Sequence, residues 1–238
     1  MWSNARSEAA LEAAFPVPIE IRTMRSARRL RLRFDEARGT LKLTCPLRMS
    51  RRAALTWALD QRDWIEKQMA LAKPAEPFEP GQVLLLEGDE IRIIWDPSGP
   101  RAPVRNAQEL HVGGPQTGLS RRIEQFLRQH ALETMSREVA EFAAAAGVKA
   151  SSVSVGDARS RWGSCSSQGR IRFSWRLILA PAEVRRYVVA HEVAHLVHLD
   201  HGAQFRALEA RLYGPGLAHA KAMLRRIGPR LRRVGRRG

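Results

Sequence analysis

Hydrophobic and polar positions alternate strictly near the start of the chain and then change to a helical period. Apolar and polar residues alternate over residues 19–45, with Gly39 marking a turn, which predicts a β-hairpin or meander whose outward face is arginine. From Ser50, a suitable N-cap, apolar residues follow a helical spacing as far as Met69. We therefore expect strands followed by one helix in this region.

A turn-rich segment and a second pair of strands follow the predicted helix. The sequence KPAEPFEPG contains three prolines and a glycine, which is typical of a linker or long loop. The next run, QVLLLEGDEIRIIW, predicts two strands joined at Glu87-Gly88-Asp89. We take residues 1–18 as an N-terminal extension and residues 19–112 as one small β-rich α+β unit with a single helix.

The second half of the chain is mostly helical. After a stretch rich in turn-forming residues, apolar residues at helical spacing predict one long helix, or two abutting ones, ending at Gly147. Short strands around a Gly-rich corner come next. Pro181 then begins a helix that is apolar almost all round and therefore buried. These elements form a domain over residues 118–227, and the arginine-rich residues 228–238 are expected to be a solvated basic tail.

Composition adds one unusual feature, which is charge. The 238 residues contain 40 Lys and Arg against 24 Asp and Glu, a net charge of +16. Such an excess attracts polyanions, so nucleic acid or nucleoprotein is a candidate partner, although the coding habit of a GC-rich genome explains the arginines equally well. No apolar run has the length of a bilayer span and no signal peptide is recognisable. We expect a cytoplasmic protein without a membrane partner, with Cys45 and Cys165 reduced.

The chemistry is concentrated in the motif His191-Glu192-Val193-Ala194-His195, which lies inside the apolar helix. Residues four apart share one face of a helix, so both imidazoles can point at a single ion. Catalytic zinc usually takes three protein ligands and keeps a fourth position for water. Glu192 is therefore the candidate general base and one Zn²⁺ per chain the candidate cofactor.

A third metal ligand must come from beyond the motif. A continuous helix would carry residue 201 too far from the metal, so a turn is required, and Asp200-His201-Gly202 has turn chemistry. His201 is the preferred ligand, with a left-handed residue at His198 as one way of making the turn. His198 is a rival if the helix continues, and Glu209 is a weaker candidate. The remaining histidines are expected to be packing or surface residues: His111, His130 and His219.

Several longer sequence segments resemble one family. RWGSC, WRLILAP, YVVAHE and DHGAQF occur in order, preceded by RRLRLRF, CPLR and a helix ending in DWI. Together they resemble the YgjP-like metallopeptidase family, which is similar to the WLM, SprT-type and M48-like zinc peptidases. The resemblance implies a zincin-like (minigluzincin-like) α+β catalytic domain with zinc on His191, His195 and His201 and a catalytic Glu192.

The chain departs from that family at three places and leaves some roles open. Ser174 and Asp200 stand where the family usually has Asn, and Arg206 where it commonly has Trp. Arg161 is either an oxyanion-stabilising catalytic residue or a structural one. For Trp162 and Cys165 we favour structural roles.

The sequence thus favours a zinc metallopeptidase that acts on a peptide or protein. One alternative is a basic, nucleic-acid-associated protein with a structural zinc. Another is a zinc hydrolase acting on a non-peptide bond such as a phosphoanhydride. A structural site would be closed by four protein ligands, whereas here we find three and a glutamate, which favours the enzyme.

Overall fold

In a computed structural model, the chain is described over residues 2–35, 39–71, 76–158 and 161–236. It contains mixed α and β structure, as expected for an α+β protein. It divides into two compact units, residues 1–75 with 236–238, and residues 76–235. None of the helices in the described ranges is both long and apolar enough to cross a bilayer.

The described residues of the first unit form a three-stranded sheet and three helices. Its elements in chain order are α1 (Trp2–Ala13), β1 (Ile19–Met24), β2 (Arg31–Asp35), β3 (Thr40–Pro46), α2 (Arg51–Leu59) and α3 (Arg62–Leu71). The sheet order is β1-β3-β2, with β1 parallel and β2 antiparallel to β3. A β2–β3 hairpin with Gly39 in the left-handed region is therefore present, but a meander is wrong. The most buried strand is β3, and its central position gives it a partner on both sides.

Two further expectations for the first unit are corrected. The single helix after Ser50 is broken at Asp60, although Ser50 does cap α2 by accepting a hydrogen bond from the Ala53 N–H (3.2 Å). The N-terminal extension is not separate, because Leu11 and Phe15 pack into the same core as β3 and α2. The apolar spacing continues across Asp60, so the helical period alone did not predict the break between α2 and α3.

The described residues of the second unit form two sheets and four α-helices. Its elements are β4 (Val83–Leu86), β5 (Asp89–Asp96), β6 (Val104–Asn106), β7 (Glu109–Gly113), α4 (Leu119–Ala146), β8 (Ser152–Gly156), β9 (Gly163–Cys165), β10 (Arg170–Ser174), α5 (Ala182–Ala194), α6 (Ala203–Tyr213) and α7 (Leu217–Leu231). The sheet orders are β4-β5-β7-β6 and β8-β10-β9. A 3₁₀ helix, Trp175–Leu179, leads into α5.

The division differs from the boundary expected near residue 112. The strands β4 to β7 belong to the second unit, because Ile91, Ile93 and Leu110 share one buried core with α4. The strands β4 and β5 are joined at Glu87-Gly88 as expected, with both residues at positive φ. The strands β6 and β7 lie in the stretch rich in turn-forming residues before α4, where the sequence had predicted no strand. Part of the predicted linker, residues 73–75, lies outside the described residues.

The helical part follows the sequence closely until the end of the chain. Gly147 ends the long helix α4 in the left-handed conformation, and Pro181 stands immediately before α5. The solvated basic tail is wrong for the described residues. Helix α7 continues to Leu231, and Val234 is buried and bridges Glu76 in parallel. The Arg233 guanidinium donates to the Glu76 carboxylate (3.2 Å), so arginine here packs and pairs.

Candidate metal centre

Helix α5 and the turn after it bring the three predicted histidines together. His191 lies in the last turn of α5 and His195 is its C-cap residue. Each of the three histidines has a ring nitrogen within 4.8 Å of those of the other two, and in the described ranges no other group of three potential ligands meets this condition. The Nε2 atoms of His191 and His201 lie 3.3 Å apart. Three imidazole nitrogens therefore converge on one point.

The turn that returns His201 is made by Asp200. The helical hydrogen bonds stop after His198, whose N–H still donates to the Ala194 carbonyl (3.0 Å). The Asp200 carboxylate then accepts from the Gly202 N–H (2.9 Å), and Gly202 caps α6. The suggested left-handed conformation at His198 is wrong, since only Glu87 and Ala107 among described non-glycine residues have positive φ. The chain reverses instead through a turn closed by the hydrogen bond to the Asp200 side chain.

Two of the histidines are oriented by hydrogen bonds on their Nδ1 atoms. The Nδ1 of His191 lies 2.6 Å from the Glu209 carboxylate on α6. The Nδ1 of His195 lies 3.0 Å from the backbone carbonyl of His198. Both partners are acceptors, so the proton of each ring belongs on Nδ1 and the Nε2 lone pair is left for a cation. His198 thus contributes its carbonyl oxygen, while its imidazole is outside the histidine cluster.

Phe205 packs against all three imidazoles. Its ring centroid lies 5.0 Å from that of His191, 4.5 Å from His195 and 4.8 Å from His201, and the side chain is fully buried. The sequence reasoning did not assign Phe205 or the His191–Glu209 contact. The spacing of Phe205, Leu208 and Glu209 at i, i+3 and i+4 is the signal that places them on one inward face of α6.

Glu192 is buried against the backbone of β9. A Cβ atom built on Gly163 would lie 2.4 Å from the Glu192 Oε1, so only glycine allows this approach. Burial raises the pKa of the Glu192 carboxyl to about 7, and the positive charge of Arg161 opposes that shift. Burial also lowers the pKa of His195, which favours the neutral imidazole that binds metals. The sequence did not anticipate the Gly163 contact.

Arg161, Trp162 and Cys165 occupy the segment beside Glu192. Arg161 is exposed, and its charge acts on Glu192. The Trp162 ring packs against Gly228 of α7 and lies under the Arg232 guanidinium (4.3 Å to the ring centroid). Cys165 is half-buried, and burial, followed by the charge of Glu192, raises the pKa of its thiol. These contacts support packing roles for Trp162 and Cys165.

The other histidines lie away from the cluster. His130 pairs with Glu87 (2.9 Å) and stacks on Phe126, and His111 pairs with Glu109 (2.8 Å) on the surface. His219 is exposed on α7. Their positions agree with the packing and surface roles expected of them.

The comparison with protein families decides the general class. The sequence profile described as "YgjP-like, metallopeptidase domain" matches residues 28–227. The chain belongs to the YgjP-like metallopeptidase family. No curated protein and no solved structure matches the chain. Membership implies a peptidase that uses a metal ion and acts on peptides or proteins, and the converged histidines lie within the matched range.

Proposed function

We propose that this YgjP-like protein is a zinc metallopeptidase in which His191, His195 and His201 hold one zinc ion. Glu192 is the general base. The observation that carries the proposal is the convergence of three imidazole nitrogens, within 4.8 Å of one another, beside a buried glutamate. Among the residues that the structure describes, the Glu192 carboxylate forms no hydrogen bond or ion pair that would give it a purely structural role.

The donor set fits zinc in chemistry, and the separation of one ligand pair fits it in spacing. Zinc–nitrogen bonds of about 2.0 to 2.1 Å in a tetrahedral arrangement imply ligand nitrogens about 3.3 Å apart. The Nε2 atoms of His191 and His201 are separated by 3.3 Å. Acceptors on the Nδ1 atoms of His191 and His195 are the usual outer partners of metal-binding histidines.

In the reaction, zinc would polarise the scissile carbonyl and lower the pKa of a coordinated water to about 7. Glu192 would accept the proton of the attacking water and then deliver it to the leaving amine. The close approach of Gly163 confines the Glu192 side chain, so its carboxylate does not need to be ordered at each turnover. Arg161 would stabilise the negative charge that develops on the carbonyl oxygen.

A peptide substrate is supported by the position of β9. This strand forms one edge of its sheet, and its first residue, Gly163, contacts Glu192. An extended peptide can add to an exposed sheet edge through backbone hydrogen bonds. Binding along β9 would bring a peptide bond next to the proposed base.

The alternatives have less support from the site. A structural zinc would be closed by a fourth protein ligand, and among the described residues the cluster contains three histidines and no fourth donor. A phosphoanhydride substrate would require the same metal and base, so the substrate assay must separate it from a peptide.

The deciding experiment measures metal content and hydrolysis on the same zinc-loaded sample. We expect about one zinc per chain, as one three-histidine site requires, and cleavage within a diverse peptide library. A nucleoside triphosphate panel runs in parallel, with His191→Ala as the metal-free control for both. Turnover of nucleotides without any peptide cleavage would refute the peptidase assignment, and absence of stoichiometric zinc would refute the metal site.

A further inference from the structure

One end of the outer face of the first unit's sheet carries exposed arginines. Strand β3 alternates, so Leu43 points into the core and Thr44 points outward. The strand register places Arg22 of β1 and Arg31 of β2 on either side of Thr44. Both arginines are exposed. Because neighbouring strands lie about 4.8 Å apart, the two side chains flank one outward row of the sheet.

The segment between β1 and β2 adds three more arginines at the same end. Arg25, Arg28 and Arg29 follow the last residue of β1 and precede the first residue of β2, and all three are exposed. Since Arg22 is near the end of β1 and Arg31 begins β2, the five side chains share one end of the sheet. We call this set the arginine face: Arg22, Arg25, Arg28, Arg29 and Arg31.

The acidic residues of this sheet lie in its other half and are engaged there. Lys42 is the outward residue of the neighbouring row, and its Nζ lies 2.8 Å from Asp35 and 4.0 Å from Glu20. Asp35 also lies 3.9 Å from Arg33. Within the described ranges, the five members of the arginine face form no ion pair or side-chain hydrogen bond. Positive charge is therefore concentrated at one end and is not paired with any acidic residue that the structure describes.

We propose that the arginine face binds the phosphodiester backbone of a nucleic acid without regard to its sequence. The guanidinium group is planar and always charged, and its fork of donors matches phosphate oxygens. Five exposed guanidinium groups at one end of a sheet form a surface complementary to a row of phosphates. RNA and DNA present the same backbone chemistry. The proposal concerns only the first unit and is independent of the metal centre.

An anionic membrane is the less favoured partner. Basic clusters bind lipid surfaces where an amphipathic helix or a membrane-spanning helix holds them at the interface. The arginine face is carried by strands and a connecting segment, and no helix lies between β1 and β2. The exposed apolar side chains nearby are those of Leu47 and Met49, in the turn after β3. Two such side chains provide little apolar area for insertion.

The test uses the full-length protein and fluorescence anisotropy. The probes are a labelled 20-nucleotide single-stranded RNA and a labelled 20-base-pair DNA, each titrated at several salt concentrations. The test variant is Arg25→Gln with Arg28→Gln and Arg29→Gln. The matched control makes the same change in charge on exposed helical arginines of the second unit: Arg121→Gln, Arg137→Gln and Arg211→Gln. Thermal unfolding of each variant verifies that it is folded.

We expect the test variant to lose at least tenfold in affinity and the control to lose less than threefold. The slope of log affinity against log salt should fall by about two for single strands, since each lost phosphate contact removes about 0.7. The double change Arg22→Gln with Arg31→Gln should reduce the slope by about 1.4, which provides a second measurement if the triple variant does not fold. Equal losses in test and control would mean that net charge alone attracts the probe, and would overturn the proposal. Failure of the parent to bind either probe at 50 mM salt, or binding only to phosphatidylserine vesicles, would also overturn it.

Discussion

The Nδ1 nitrogen of His191 lies 2.6 Å from the carboxylate of Glu209, although 18 residues separate them in the chain. Glu209 is on α6 and almost completely buried, so its charge has little solvent around it. The contact fixes the tautomer of His191 and directs its Nε2 towards His201. Glu209 was a weaker candidate ligand in the sequence, and in the structure it contacts a histidine of the cluster.

Removing this carboxylate should weaken metal binding. We expect Glu209→Ala to reduce zinc affinity about 10- to 100-fold, the usual effect of losing an outer partner of a metal-binding histidine. Glu209→Gln, which keeps an acceptor oxygen, should lose less. Competition with a chromophoric chelator measures both, with Glu133→Ala on the exposed side of α4 as control. Unchanged affinity in Glu209→Ala would contradict the role given to this contact.

The third ligand can be tested by comparing two histidines three residues apart. His201→Ala should weaken zinc binding far more than His198→Ala, because only the His201 ring joins the cluster. His198 contributes its backbone carbonyl to His195, and that carbonyl is retained in an alanine variant. The same chelator competition applies. Equal affinities for the two variants would mean that His201 is not the third ligand.

Gly163 provides a test of how closely Glu192 must be held. Gly163→Ala would place a Cβ atom 2.4 Å from Oε1 and 2.6 Å from Cγ of Glu192, so the whole side chain must move. None of the three atoms nearest to that Cβ belongs to the three histidines, so the substitution should leave the zinc ligands in place. We expect peptide hydrolysis to fall about 100-fold or more, as expected for a misplaced catalytic group, while zinc stays bound. Ser164→Ala, one residue further along β9, is the control. Peptide hydrolysis at the parental rate in Gly163→Ala would show that catalysis does not depend on the close contact between Gly163 and Glu192.

The sequence predicted which three histidines lie close together, because the signals for them are local. The HExxH spacing depends only on the helical period, and the turn at His201 depends on the neighbouring Asp200 and Gly202. Glu209 and Gly163 reach the site through α6 and β9, which are separate elements whose packing no local pattern specifies. The sequence therefore indicated the histidines, but it indicated neither the contact of Glu209 with His191 nor the contact of Gly163 with Glu192.

The errors in the fold have the same origin. The alternation of polar and apolar residues identified the strands β1, β2 and β3. It does not specify which strands pair with each other. The parallel pairing of β1 with β3 joins residues over 20 positions apart in the chain. Arginine content suggested a solvated tail, whereas Arg233 pairs with Glu76, which lies 157 residues earlier. In both cases the structure is determined by contacts between residues that are far apart in the chain.

A buried ion pair joins α5 to α4 and should be important for stability. Arg185 and Glu138 are both almost fully buried, with Arg185 Nη2 2.9 Å from Glu138 Oε1. Arg185→Met leaves the carboxylate buried without its partner, and such losses typically cost about 3 to 5 kcal/mol in the free energy of unfolding. Urea denaturation at pH 7 measures the change. The double variant with Glu138→Leu should recover most of it, and a double variant as unstable as the single one would contradict this explanation.

The same pair predicts how the stability loss depends on pH. Burial raises the pKa of Glu138, and hydrogen bonding and the charge of Arg185 oppose that shift. An acid whose pKa is raised on folding holds its proton more tightly in the folded state, so its contribution to stability is lost as pH rises. Without Arg185 the pKa of Glu138 should rise further. The stability deficit of Arg185→Met should therefore shrink as pH falls from 7 towards 5, and urea denaturation across that range measures it. A deficit that grows over this range would contradict the argument.

The mechanism depends most directly on Glu192. Glu192→Gln preserves the size and burial of the side chain but cannot accept the proton of the attacking water, so zinc should remain bound while peptide hydrolysis falls. General-base assistance typically contributes about 10² to 10⁴-fold, which sets the expected loss. Zinc content must be measured on the same sample, and Glu183→Gln at the exposed start of α5 is the matched control.

The two measurements on Glu192→Gln separate the roles this residue can have. Retained zinc with lost hydrolysis identifies a general base. Retained zinc with parental hydrolysis excludes Glu192 as the base and removes the proposed mechanism. Loss of zinc would instead indicate that the carboxylate supports the metal ligands, as Glu209 does for His191. In that case the carboxylate of Glu192 would have to lie closer to the histidine nitrogens than to the backbone of Gly163, against which it is packed.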